Sequence, residues 1–247
     1  MRRELLLLFL GLVCAPAAPA ADLTVDAVKQ ALAAAAPGKP ADFSGRDLSD
    51  LDLSGLDLRL ANLSRANLFG AKLVGANLSG VNLQGANLDA AWLMRAKFSG
   101  ANLAGASLFA PVIYSTVNVN PAEAPDFSGA DLSGARVIAR FTGVNLAGAK
   151  LANGRFGVDM KNQPMGQMRN DFSGANLAGA DLTAADLSRA LFTFANLSRA
   201  RLTGANLMGA DLSGADLSGA DLTGANLNET LLTGAVLTGA KGIPASR

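Results

Sequence analysis

The residues that could do chemistry in this 247-residue chain are few, and most of the usual machinery is absent. There is no histidine, which removes most proton shuttles, Ser-His nucleophiles and His-bearing metal sites. The nucleophile elbow, the phosphate-binding Walker loop and the glycine-rich calcium nonapeptide are also missing. Three of the six methionines, Met160, Met165 and Met168, fall within nine positions. Thioethers select Cu(I), so an exported cluster of them offers a weak copper site; the plainer reading is a loop folding its Met side chains onto the protein. The expectation is no enzyme, no catalytic residue and no cofactor.

The first 20 residues stand apart. Arg2 and Arg3 precede an apolar run from Leu5 to Val13, and Ala18, Pro19 and Ala20 follow as a small-x-small cleavage pattern. The run is about half of the roughly 20 residues that a spanning helix needs, so it reads as a secretory signal, cut after Ala20 or Ala21. Sec export to a bacterial periplasm or the medium is expected. Cleavage would remove Cys14, the one cysteine. It would also remove Arg2, Arg3 and Glu4, taking 21 basic and 20 acidic residues to 19 of each. A neutral mature chain argues against binding nucleic acid or an anionic membrane surface.

The elements beyond the signal follow two patterns. Residues 21–40 hold a short amphipathic helix, expected over 22–36, with Val25, Val28 and Leu32 on one face, Asp22 or Thr24 as cap, and Pro37-Gly38 ending it. From 41 to 239 the period is five: ADFSG, RDLSD, LDLSG, LDLRL, ANLSR, ANLFG. Five steps of a helix advance 140° past a full turn and scatter the large residues. A flat strand, alternating in twos, would send half of them into water. Only a corner in every unit keeps them all inside, with the first and third residues of Ala61-Asn62-Leu63-Ser64-Arg65 inward, Asn62 outward, and Ser64-Arg65 turning. Glycine suits the fifth position, as at Gly70 and Gly75.

The A(D/N)LSG units resemble the pentapeptide-repeat family. That resemblance implies an all-β, right-handed quadrilateral β-helix, with four units per coil and a short N-terminal capping helix. About 36 units would make about nine coils and a rod roughly 43 Å long. The expected core includes Phe43, Leu48, Leu53, Leu63, Leu78, Phe98, Phe127, Phe141, Phe156, Phe172, Leu197, Leu212 and Leu222. Two interruptions, 114–125 and 157–170, break the pattern, and one residue is missing between Val137 and Phe141. A tail covers 240–247.

If residues 20 apart stack, Asp181, Arg201 and Asp221 share one outward column, as do Asp52, Lys72 and Trp92; exposed charge pairs of this kind contribute at most about 1 kcal/mol. Asp211, Asp216 and Asp221 then lie on successive sides, pointing apart, which excludes a paired-carboxylate site. Because loops carry specificity, the interruptions are the expected contact regions. Trp92, Tyr114, Phe194, Leu231 and Val236 are the candidate contact residues, the last two serving a homodimer through the C-terminal coil. The expected role is an exported scaffold or protein-binding rod with an unknown protein partner. The family also suggests an alternative, a DNA mimic that binds DNA gyrase, but Lys72, Lys97, Arg189, Arg199 and Arg201 interrupt the acidic positions.

Overall fold

The computed structural model describes residues 23–157 and 169–243. A single α-helix, α1 (Val25–Ala33), begins at Thr24, whose side chain accepts from Ala27 N. It is shorter than the 22–36 expected, because the backbone N–H of Ala34 already closes onto Gln30 and Leu32 carbonyls, and Ala36 pairs with Lys39 across Pro37-Gly38. Val28 is buried, and Leu23, Ala31 and Leu32 pack against the first coil. Longer strands are scarce: β1 (Ala41–Asp42) pairs in parallel with β2 (Ala61–Asn62), and β3 (Ser107–Phe109) with β4 (Arg136–Ile138). Nearly everything else is single parallel rungs, Asp47 to Asn67 to Asn87 and onward, recurring every 20 residues.

Each corner has a local cause. The outward Asp or Asn accepts the N–H two residues on, as in Ser44 N to Asp42 Oδ1 (3.0 Å) and Ser49 N to Asp47 Oδ1 (3.0 Å). The centre's carbonyl then takes the N–H three residues on, as in Ala66 N to Leu63 O (3.1 Å). A tight turn of this kind needs a left-handed residue in its third place, and Arg65 supplies it with φ 58° where most units use glycine.

Inside, Leu and Ala fill successive layers. Every residue of the expected core, from Phe43 to Leu222, is buried. The large side chains concentrate where the repeat is irregular: Phe98 stacks on Phe127 (4.7 Å between rings), Phe127 meets Phe141 (5.5 Å), Phe141 meets Phe172 (5.7 Å), and Phe172 stacks on Phe192 (5.0 Å). Aromatic contacts of this geometry add about 0.5–1.5 kcal/mol each beyond burial. They bridge the coils at which the interval changes.

Those changes can be read from the rungs. Lys97 pairs with Asp126 and Asn102 with Asp131, an interval of 29. Asp126 to Asn145 and Asp131 to Lys150 are 19 apart, and Arg140 to Asp171 and Asn145 to Asn176 are 31 apart. From Asp171 to Leu191 onward the interval is again 20. Nine extra residues therefore lie between Ile113 and Phe127, one is missing after Val137, and eleven extra residues lie between Phe156 and Phe172.

Candidate interaction face

The four outward columns of the rod are chemically unequal. One runs Asp42, Asn62, Asn82, Asn102, Asp131, Lys150, Asp181, Arg201, Asp221, Lys241; a second runs from Asp47 to Asn226, and a third from Asp57 to Val236. Each is paired without a gap. Their amides also bond vertically: Asn62 Nδ2 to Asp42 Oδ1 (3.0 Å), Asn82 Nδ2 to Asn62 Oδ1 (3.3 Å), Asn87 Nδ2 to Asn67 Oδ1 (3.1 Å) and Asn206 Nδ2 to Asp186 Oδ1 (3.0 Å). The fourth column runs Asp52, Lys72, Trp92, Val112, then Arg140, Asp171, Leu191, Asp211, Leu231. It contains no asparagine, and four of its nine members are apolar.

This fourth column is also where continuity fails. Trp92 pairs with Val112 and Arg140 with Asp171, but among the described residues no rung joins Val112 to Arg140. The two insertions and the missing residue all lie at the two corners bordering this column: 114–125 follows its centre Ile113, while the gap after Val137 and the segment after Phe156 precede its centres Phe141 and Phe172. A cleft of about 440 Å³ opens at the absent rung, lined by Ala110, Pro111, Ile138, Ala139, Leu191 and three charged residues, Arg140, Arg169 and Asp171.

The broken corner is held by one buried amide that sequence reasoning did not single out. Asn170, 2% exposed, donates through Nδ2 to Val137 O and Phe156 O (both 2.7 Å) and accepts at Oδ1 from Ala139 N (2.8 Å). A missing residue frees backbone groups that would otherwise pair, and a buried unpaired group costs about 1–3 kcal/mol. Asn170 has both a donor and an acceptor, so one side chain satisfies groups on both sides of the break.

The 114–125 loop is tied down just as specifically. Glu123 accepts from Ser115 N and Ser115 Oγ (both 2.8 Å), and these bonds hold its carboxyl below the usual glutamate range. A short 3-10 turn, Pro121–Glu123, returns the chain to the rod, where Arg95 N donates to Glu123 O (2.7 Å). Arg140 Nη1 donates to Val117 O (2.6 Å).

Tyr114, expected on the contact surface, is instead buried at 7% exposure. Its hydroxyl donates to Thr142 O, anchoring the loop to the following coil, and burial pushes the phenol above its ordinary pKa. A phenol has an apolar ring to bury and a hydroxyl to satisfy, so it serves an anchor better than a platform.

The other candidate contact residues are exposed: Trp92 at 41%, Phe194 at 78%, Leu231 at 54% and Val236 at 47%. Trp92 and Leu231 belong to the fourth column and Phe194 to the corner beside it, whereas Val236 ends the third column. Lys72 Nζ lies 5.9 Å from the Trp92 ring centre, which covers part of the indole. Phe194 has φ 58° and lays its ring over Gly214, where a Cβ would stand 2.5 Å from Phe194 Cε1. An aromatic in the left-handed region costs roughly 1–2 kcal/mol. Arg189 and Arg199, in the same conformation at the two neighbouring corners, reach toward Gly209 and Gly219.

Asp181, Arg201 and Asp221 do stack, but none comes within ion-pair distance of the next; close pairs elsewhere include Arg59–Asp57 (2.5 Å) and Lys150–Asp131 (3.8 Å). Met160, Met165 and Met168 lie outside the described residues, as does the expected signal. Among the described residues there is no metal-binding group of His, Cys, Asp or Glu, and no helix is long and apolar enough to cross a membrane.

Comparison with known proteins agrees with this architecture. No relative is found among curated proteins. Among solved structures, HetL, a pentapeptide repeat protein involved in heterocyst differentiation regulation from the cyanobacterium Nostoc sp. strain PCC 7120, is 29% identical over 89% of this chain and 94% of its own, with a TM-score of 0.38. QnrB1, a plasmid-mediated fluoroquinolone resistance protein, is 18% identical over 76% of this chain and 86% of its own, with a TM-score of 0.50. The family model for pentapeptide repeats matches in eight copies, over 41–73, 61–100, 71–108, 171–209 and 210–241. With both regular blocks matched and the rungs stacked every 20 residues, the chain belongs to the pentapeptide repeat family.

Proposed function

We propose that this protein is an exported, non-catalytic rod that binds a protein partner through the column running from Trp92 to Leu231. The observation that carries this reading is the inequality of the four columns. Three are continuous and carry amide ladders along part of their length, while the fourth exposes Trp92, Arg140 and Leu231, is interrupted, and is flanked by the 114–125 loop. Protein interfaces are enriched in aromatic residues and arginine. A right-handed, four-sided winding with α1 as cap fits four five-residue units per coil and the packing of Val28. Export rests on the sequence of residues 1–20, and mass spectrometry of the purified protein should find a mature start at Ala21 or Asp22.

A photo-cross-linking residue placed at Trp92, Leu191 or Phe194 should trap a partner in the cells that make the protein, whereas the same residue at Asn77, Asn145 or Arg201 should not. Equal trapping from all six positions would overturn the reading.

Self-association through the last described coil is a second part of the proposal. Its Leu227, Leu232 and Leu237 are only half-buried, and Leu231 and Val236 project beside them. Sedimentation should show a dimer that Val236→Asp dissociates; a monomer at all concentrations removes this part alone. The DNA-mimic alternative wants an unbroken acidic surface, which Lys72, Lys97, Lys150 and Arg201 interrupt within the columns.

A further inference from the structure

We propose that the cleft at the absent rung recognises an acidic–aliphatic peptide segment, with a carboxylate of the peptide on Arg140 and an aliphatic side chain on the floor made by Pro111, Ile138 and Leu191. This deepens the protein-binding reading and rests on it.

The charge argument centres on Arg140. Its guanidinium is exposed and has five donors, of which one is used on Val117 O; among the described residues no carboxylate lies within ion-pair distance. Asp171, the nearest acid along the column, is already engaged, with Oδ2 accepting from Thr142 Oγ1 (2.8 Å) and Oδ1 from Ser173 N (2.9 Å). The bond to Val117 restrains the guanidinium beside the cleft and leaves its other donors available for a carboxylate, and such charge-assisted pairs are the strong ones.

The shape argument centres on the missing pairing. Other openings, such as the one of about 470 Å³ lined by Ser64, Arg65, Asn82 and Gln84, lie over unbroken rungs, whereas here the outward rung between Val112 and Arg140 is itself absent. Here Ala110 N still donates to Ile138 O (2.8 Å), and Asp171 N to Ala139 O (3.1 Å), so the cleft has fixed walls on both sides. Its floor is apolar and one rung deep. An extended segment alternates its side chains, which suits an acid directed at Arg140 beside an aliphatic residue directed at the floor.

The test uses the full mature chain and fluorescence anisotropy of three labelled peptide amides: alternating Asp and Leu, alternating Lys and Leu, and alternating Asp and Ser. The Asp-Leu peptide should bind saturably, the other two at least about tenfold more weakly. Arg140→Gln and Leu191→Asp should each weaken Asp-Leu binding by about tenfold, whereas Lys97→Glu, on another column, should leave it unchanged. Thermal unfolding of each variant establishes that it is folded, and the exposed Arg140 can be replaced without touching the core. Equal binding of the Lys-Leu peptide, or binding indifferent to Arg140→Gln, would overturn the proposal, as would competition by free 4-methylpentanoate as strong as that of the peptide. If no peptide binds while cross-linking from Trp92 and Leu191 still traps a partner, the acidic-peptide chemistry is wrong and the interaction face stands. If cross-linking also fails, the face itself is wrong.

Discussion

The column through Asn62, Asn82 and Asn102 and the column through Trp92, Arg140 and Leu191 share a backbone path, yet of these six residues only the three asparagines close their corners with a side-chain acceptor. On the first, the asparagines spend their polarity on their neighbours: Asn82 Oδ1 accepts from Gln84 N and from Asn102 Nδ2, while its own amide donates to Asn62. Little is left for another molecule. On the second, the side chains are unlike one another, the rungs part between Val112 and Arg140, and the 114–125 loop emerges alongside. The contrast teaches that in a repeat fold a contact surface arises by withholding the residue that would close the ladder.

The largest expected effect comes from the amide that keeps the open side from unravelling. Asn170→Ala strands Ala139 N and removes the donor shared by Val137 O and Phe156 O, and should lower the unfolding free energy by about 3 kcal/mol or more in denaturant titration. A loss below about 1 kcal/mol would mean that the broken corner is held by something else. On the closed side, Asn82→Ala removes two amide rungs and one turn bond, all partly exposed, and should cost only about 1 kcal/mol.

Phe194→Gly sharpens the comparison in the opposite direction. Relieving a left-handed aromatic whose ring is mostly exposed should raise stability by about 1 kcal/mol while weakening partner capture. A destabilised variant would mark Phe194 as a packing residue of Gly214 and not part of the interface.

The smallest effect is a response to acid. Asp42 and Asp47 are held below the usual aspartate pKa chiefly by hydrogen bonds from Ser44 and Ser49, and the bond from Arg59 brings Asp57 down to about 2. These carboxylates hold protons more weakly folded than unfolded. Their contribution is therefore complete above the ordinary carboxylate range and is lost as pH falls through the folded values toward about 2. Thermal midpoints measured between pH 5 and pH 2 should decline gradually. A midpoint independent of pH would show that the Asx turns contribute nothing when charged.

How much of this was legible in the sequence depended on whether the period held. Where it did, position alone gave direction: Leu63, Leu78 and Leu212 inward, Asp181 above Arg201, Trp92 outward beside Lys72. Where the period failed, direction could not be counted. Tyr114 reads as a surface residue because it opens an interruption, and nothing in its local sequence reveals the Thr142 carbonyl it reaches 28 residues away. Arg140 is hidden for a related reason, since its place in the column is visible only once the 31-residue interval from Arg140 to Asp171 is known, whereas Leu191, in a regular stretch, already reads as outward beside Phe194. The signal for Asn170 was a lone Asn just before the restored Asp171-Phe172 unit, and sequence gives no means of telling such a residue from an ordinary loop asparagine.

The lengths of the two insertions carry a further consequence. A coil advances in steps of five, so five added residues would become an additional side and turn everything downstream by a quarter revolution. Nine is not a multiple of five, so the extra residues between Ile113 and Asp126 cannot all be wound into the rod; they leave and return at one corner, and the eleven extra residues between Phe156 and Asp171 likewise leave the later rungs in register. Loop length is thereby uncoupled from the bearing of every later residue. Segments of other lengths and chemistries could be exchanged at these two corners, with the remaining three sides keeping their alignment from Asp42 to Lys241.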